Sequence, residues 1–283
     1  MTSQEEEIIK FIKECDFRNP REVAVYTRIF SNKKFNFLNT DLDRPLIFYR
    51  ARIHKEPQTL YSDSSQLGAP PKSVVDVGRA NYPSEPIYYC SNSFWTSIIE
   101  CRPKVGDYVT ITSIEFSLEK LHILLLGKTE KYPELKSQLD PDSLFLNNLL
   151  DDAFKEVVPT DKKYRYYRTA SFVSSHLPNL RDYTFHGIGY PSVATEHRGD
   201  NYVFLPDFVE QNSEIKDVRV VEVVEKKSKF DFRIVCRQSM LIMYGDDVIY
   251  NYMKNCDGHV CSEEFYFHND NIIKPSSLNE QEE

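Results

Sequence analysis

Three side chains suited to one anionic, sugar-bearing ligand recur at near-even spacing between Gly78 and Arg102. Arg79 stands in Gly78-Arg79-Ala80-Asn81, Tyr89 in Ile87-Tyr88-Tyr89, and Glu100 in Ile99-Glu100-Cys101-Arg102. A guanidinium matches phosphate with two parallel hydrogen bonds, which an ammonium does not. An aromatic ring offers a stacking face and, in tyrosine, a hydroxyl. A carboxylate steadies positive charge as it develops on a sugar carbon.

These positions must be carried by a turn, a strand and a helix. Pro86 to Cys90 reads as a strand, on which Tyr88 points away from Tyr89 and into the core. Asn92 or Ser93 can cap a helix bearing Phe94, Ile98 and Cys101 on one side. Glu100 then falls near its C-terminal end, where the helix dipole disfavours an anion, so the carboxylate needs a specific reason to be there. Asn81 has the side chain to shape the turn that presents Arg79.

Around this centre, Ser3 and Glu6 have capping-box spacing ahead of Ile8, Phe11, Ile12 and Cys15, which predicts a helix over 4–15. A second helical piece follows Pro20. Leu46–Arg52 and Tyr108–Phe116 read as strands, with a long polar connection over 55–76 between the first and the Arg79 turn. The middle, 130–180, is helical in pattern, with Leu146, Leu149, Leu150 and Phe154 on one face and a further helix over 167–177. Short strands are expected at 187–192 and 201–205, and a hairpin from 218–224 and 230–235.

The chain has 283 residues and a net charge of −8, which argues against non-specific nucleic-acid binding but leaves room for a small anion held by a few arginines. No basic segment leads into an apolar stretch at the start, and the run around 123–126 is too short to span a bilayer. The six cysteines form no dense framework, so free thiols in a reducing cytoplasm are expected. Cys256, His259, Cys261 and His268 are ligand-type residues, but Cys-x4-Cys is loose and the fourth ligand undefined, so no metal is assigned.

Taken in order, Tyr49-Arg50-Ala51-Arg52, the Arg79 turn, the Tyr89 strand, the Glu100 helix and Gly189-Tyr190-Pro191-Ser192 resemble the RES-domain family. The similarity covers roughly residues 45–205, and its specific part is the Arg79, Tyr89 and Glu100 set. It implies an α+β fold of the ADP-ribosyltransferase-like type and consumption of NAD+ by hydrolysis, phosphorolysis or ADP-ribosyl transfer. It also implies a toxin with a cognate antitoxin or immunity protein. Carried over motif by motif, Arg79, Glu100 and Ser192 are the catalytic positions. Arg50, Tyr89 and Asn81 are the substrate-binding ones. NAD+ is then a substrate, and no cofactor is expected. Ser84-Glu85-Pro86 stands where the family often has a glycine, and the chain is longer at both ends and in the middle.

The expected organisation is one domain with additions: a helical extension over 1–40, a catalytic core over 41–210, a β-hairpin extension over 211–270 packed on the core, and a disordered tail over 271–283. The additions are expected to pack on the core or form a homodimer contact, because their patterned apolar faces must be buried somewhere. A non-catalytic module that binds NAD+ or ADP-ribose in the same pocket is the competing reading, and a pure interaction protein the third. Retention of the whole polar set favours the enzyme.

Overall fold

The computed structural model describes residues 2–31, 37–54, 61, 63–177, 185–244, 247–252, 264–268 and 271–273. Helices α1 (Ser3–Glu14) and α2 (Pro20–Phe30) come first, followed by β1 (Asn39–Asp43) and β2 (Ile47–His54). Next come β3 (Tyr88–Ser91), α3 (Phe94–Cys101), β4 (Tyr108–Phe116), β5 (Lys120–Leu125), the short α4 (Pro133–Lys136), α5 (Pro141–Lys155) and α6 (Tyr166–His176). β6 (Gly187–Pro191), β7 (Asp200–Phe204), α7 (Pro206–Asn212), β8 (Ser213–Ser228), β9 (Asp231–Tyr244), β10 (Asp247–Tyr252), β11 (Glu264–His268) and β12 (Asn271–Ile273) complete the α+β architecture.

The strands form one mixed sheet in the order β1-β5-β6-β7-β3-β2-β4-β8-β9-β11-β12, with β10 also on β9. Only β5 and β6 run parallel; every other pairing is antiparallel. β2 pairs with β4 from Ile47↔Glu115 to His54↔Tyr108, yet it meets β3 through the single pair Tyr49↔Ser91. The sheet therefore has a seam between β2 and β3.

Three large apolar clusters hold these layers, beside a small one at Leu67 and Val218. Tyr26 and Phe30 of α2 pack with Phe154 of α5 and Phe172 of α6 over Leu124 and Ile188. Phe48, Phe116 and Phe204 meet edge-on or tilted, with ring centroids 4.9–5.6 Å apart, on one side of the sheet. Trp95, Ile98 and Ile99 of α3 cover Val109, Ile111, Val221 and Ile234. Each cluster removes several large side chains from water, at roughly 1.5–3 kcal/mol apiece.

Local signals explain the helix starts. The capping box of α1 uses Thr2 and Glu5, one residue earlier than the Ser3 and Glu6 spacing suggests, because Thr2 is extended and Ser3 already helical. Ser93, not Asn92, caps α3, its side chain accepting from the Thr96 amide at 3.3 Å. Tyr88 is buried in the second cluster.

Residues 1–40 contribute α1 and α2, whose Ile12, Tyr26 and Phe30 belong to the same cluster as α5 and α6. Within the segment 211–270, β8 joins the central sheet, running alongside β4 from Tyr108↔Glu222 to Phe116↔Ser213. The hairpin is longer than 218–235, extending over β8 and β9. Of the expected tail, 271–273 forms β12, while 274–283 lie outside the described residues. Cys256, His259 and Cys261 also lie outside them. No helix among the described residues is long and apolar enough to cross a membrane.

Candidate active site

The seam opens onto a cavity of about 350 Å³. Arg50 of β2, Arg79, Tyr89 of β3, Glu100 of α3, Tyr190 of β6 and Asn201 of β7 all line it. Turn, strand and helix thus deliver Arg79, Tyr89 and Glu100 to one place, with Arg50 and Asn81 on the same wall.

The turn is built by mutual clamping. Gly78 N–H donates to the Asn81 carbonyl at 3.1 Å. The Tyr89 hydroxyl accepts from the Ala80 amide at 2.9 Å and donates to Asn81 Oδ1 at 2.7 Å. Asn81 Nδ2 donates to the Asp76 and Tyr82 carbonyls, both at 2.8 Å. A Cβ on residue 78 would lie 2.6 Å from Asn81 Oδ1 and 2.8 Å from the Tyr89 hydroxyl, so only glycine lets them approach. The polar groups of Asn81 and the Tyr89 hydroxyl are consequently spent on the scaffold. What remains to a ligand is the Tyr89 ring, and burial pushes its hydroxyl well above the ordinary tyrosine range.

Arg79 is equally engaged. Nη1 donates to the carbonyls of Ala153 (3.2 Å) and Phe154 (2.9 Å), and Nη2 to that of Glu156 (2.8 Å). These are carbonyls at the C-terminal end of α5, where helix-internal partners run out and a cation also complements the dipole. The guanidinium further stacks over Tyr166 at 5.3 Å. Arg79 thus anchors α5 and presents only its remaining N–H groups to the cavity.

Arg50 is different. Its Nη1 reaches across the seam to the Tyr89 carbonyl at 3.0 Å, and its charge lies 5.3 Å from the Tyr88 ring. Nε is buried with no hydrogen-bond partner, and no carboxylate among the described residues pairs with the group. Burial, and after it the neighbouring Arg52, brings the guanidinium down to about 10. An unneutralised cation in a cavity wall attracts anions by ordinary electrostatics.

Glu100 has the reason its helix position demands. Its Oε1 accepts from Ser192 Oγ at 2.6 Å and from Asn201 Nδ2. Ser192 Oγ in turn accepts from the Thr195 amide at 3.0 Å. A backbone N–H can only donate, so the serine proton must point to Glu100. Both lone-pair directions of Oε1 are thereby occupied, while Oε2 has no hydrogen-bond partner among the described residues. Ser192 is fully buried behind Glu100 and does not line the cavity. Its hydroxyl holds the Glu100 carboxylate from behind.

Two further groups escape the motif reading. The Tyr190 hydroxyl has no hydrogen-bond partner among the described residues, and its ring lines the cavity. Burial, and after it Tyr89 and Glu100, raises its pKa well above the ordinary value. Asn201 sits opposite Tyr190 in the β6–β7 register, which is what brings it to Glu100. Strand alternation placed both residues on paired strands, but their common face depends on a register that only the pairing sets.

Thiol chemistry is disfavoured here, because burial pushes Cys101 up to about 12 and Cys90 higher still. His186, a loop histidine that could serve as a base, is not among the residues lining this cavity, and its Nδ1 accepts from the His122 amide at 2.9 Å. Among the described residues no three His, Cys, Asp or Glu side chains gather to hold a metal ion. Comparison of the chain with protein-family models and with curated proteins finds no match.

Proposed function

We propose that this cavity cleaves the nicotinamide–ribose bond of NAD+, in a RES/ADP-ribosyltransferase-like fold, with hydrolysis as the main outcome. The observation that carries the reading is the Glu100 carboxylate, held through one oxygen by Ser192 and Asn201 with the other oxygen unbonded, beside the un-neutralised Arg50.

The chemistry asks little of an acid. The C1′–N bond breaks, its electron pair passes to the nicotinamide nitrogen, and the leaving group departs neutral. Positive charge appears on the ribosyl carbon and ring oxygen, where a fixed carboxylate stabilises it. Water then adds to C1′ and loses its proton to solvent. Arg50 suits the pyrophosphate, the Tyr89 ring a planar face, and the Tyr190 hydroxyl a ribose or amide group. Phosphate or a protein side chain in place of water gives phosphorolysis or ADP-ribosyl transfer from the same first step.

The test is incubation with NAD+, with and without inorganic phosphate, followed by chromatography of the products. Nicotinamide with ADP-ribose supports hydrolysis, and a phosphate-dependent second product supports phosphorolysis. Intact NAD+ bound without turnover supports the non-catalytic binding module instead.

A further inference from the structure

The candidate cavity does not end at Glu100. A second cavity, of about 380 Å³, shares four wall residues with it: Arg102, Val157, Val193 and Ala194. Ile99, Pro103 and Phe232 give this second space an apolar wall, and Lys226, Lys229 and Glu196 its charged rim. The two spaces meet at Arg102.

Arg102 is unusual on three counts. It caps α3 in the left-handed conformation, φ 52° and ψ 51°, a position where glycine is the ordinary choice. Its guanidinium makes no hydrogen bond or ion pair with any described residue. It is also two residues from Glu100, so the helix end that carries the carboxylate carries this cation too. The other cations are partly engaged: Lys226 Nζ donates to the Pro103 carbonyl at 2.7 Å, and Lys229 lies 3.3 Å from Glu196. Counting Arg102, Lys226 and Lys229 against Glu196, the second cavity keeps an excess of positive charge.

We infer that the site is bipartite and takes a dinucleotide: the nicotinamide riboside half beside Glu100, the pyrophosphate at Arg102 with Arg50, and the adenosine half in the second cavity. This rests on the NAD+ reading above and deepens it. Each cavity alone is at the small end for an organic ligand, at about 300–1,000 Å³. A ligand with two nucleosides joined by two phosphates matches a polar space and an apolar-walled one joined at an arginine. Arg102, not Arg79, then supplies the exposed half of the phosphate grip, because Arg79 is tied to the end of α5.

The test uses Arg102→Gly, Lys229→Glu and the unaltered chain. Substrates are NAD+ and nicotinamide riboside, which keeps the scissile bond but has no phosphate or adenosine, and ADP-ribose binding is followed by calorimetry. Arg102→Gly relieves the left-handed residue and is expected to raise the melting temperature. It is also expected to lower kcat/KM for NAD+ tenfold to a hundredfold more than for the riboside, and to weaken ADP-ribose to the same degree. Lys229→Glu lowers NAD+ use threefold to tenfold. A gain in stability with a loss of affinity separates a binding role from a structural one. NAD+ turnover with equal effects on both substrates overturns the bipartite site and leaves the NAD+ reading intact. ADP-ribose binding that depends on Arg102 without nicotinamide release keeps the bipartite site and overturns the catalysis. Failure to bind either NAD+ or ADP-ribose overturns both.

Discussion

Ser192→Ala separates a positioning serine from a nucleophile or a passive core residue. The hydroxyl makes two hydrogen bonds in a site closed to water, accepting from Thr195 N–H and donating to Glu100 Oε1. Removing it leaves the buried Thr195 amide unpaired, which costs about 1–3 kcal/mol. For a domain of this size each kcal/mol lowers Tm by roughly 2–4 °C, so a fall of about 2–12 °C is expected by thermal unfolding. The carboxylate keeps Asn201 as its second donor, so it is loosened and not lost. Loss of one oriented hydrogen bond at about 1–1.5 kcal/mol predicts a fall in kcat for nicotinamide release of roughly fivefold to tenfold, with KM nearly unchanged. The decisive arm is the double variant. If Ser192 acts only through Glu100, Ser192→Ala in a Glu100→Gln background lowers kcat no further. Complete loss of turnover in Ser192→Ala alone, with Glu100 still in place, would mean that the hydroxyl takes part in bond making and would refute this reasoning. Unchanged kcat and unchanged Tm would refute it from the other side.

Glu100→Gln keeps the shape but removes the charge that, on the proposed mechanism, is needed only as the ribosyl cation forms. kcat should therefore fall by about 10²–10³ while KM stays within a few-fold, measured by steady-state nicotinamide release. Arg79→Ala removes three hydrogen bonds to carbonyls at the end of α5; at about 0.5–1.5 kcal/mol each it should lower the denaturation midpoint markedly, and Arg79→Lys should restore it only in part. Wild-type stability in Arg79→Ala would show that the anchor contributes nothing. Stability should also fall as the solution is acidified below pH 6.5. Burial lowers the pKa of His176, so the folded state resists its protonation; the stabilisation is complete above the unfolded value of 6.5 and lost towards the folded one. His176→Gln should flatten the dependence of Tm on pH between about 5 and 7, and an unchanged slope would remove His176 from the account.

The parts of the fold encoded by neighbouring residues were legible. Ser93 ahead of Phe94, Ile98 and Cys101 gives the start and face of α3, and Tyr88 and Tyr89 sort to opposite sides of β3 by alternation alone. β1 was not legible: Asn-Thr-Asp-Leu-Asp is dominated by Asn and Asp, which disfavour strands, and it is extended because β5 supplies its partner, from Asn39↔Leu124 to Asp43↔Lys120. Nor was the use to which the site residues are put. Glu100 finds Asn201 at a sequence separation of 101 residues, and Arg79 finds Glu156 at 77. A motif names the side chain, but long-range pairing decides which of its hydrogen bonds are already spent.

The same distinction explains why the cavity lies at the seam. A full β2–β3 ladder would occupy the backbone groups of Tyr89 and fill the space beside it, as β4 does along the other edge of β2. Pairing instead stops at Tyr49↔Ser91, and Arg50 donates to the Tyr89 carbonyl in place of a backbone amide. One guanidinium thus satisfies a carbonyl that the missing ladder would otherwise leave bare, while its buried Nε faces no protein acceptor. Tyr89 completes the arrangement by turning its hydroxyl to the Gly78–Asn81 turn, which holds Arg79 against α5. Arg50, Tyr89 and Arg79 therefore keep two sheet edges and a helix end apart at fixed spacing. Around the gap they maintain, Glu100 Oε2, the Tyr190 hydroxyl, Arg50 Nε and the Arg102 guanidinium are among the polar groups that the described residues leave without hydrogen-bond partners. On the NAD+ reading proposed above, a carboxylate and two cations lining one opening complement a ribosyl cation linked to a pyrophosphate, which a neutral sugar or a lone phosphate would use only in part.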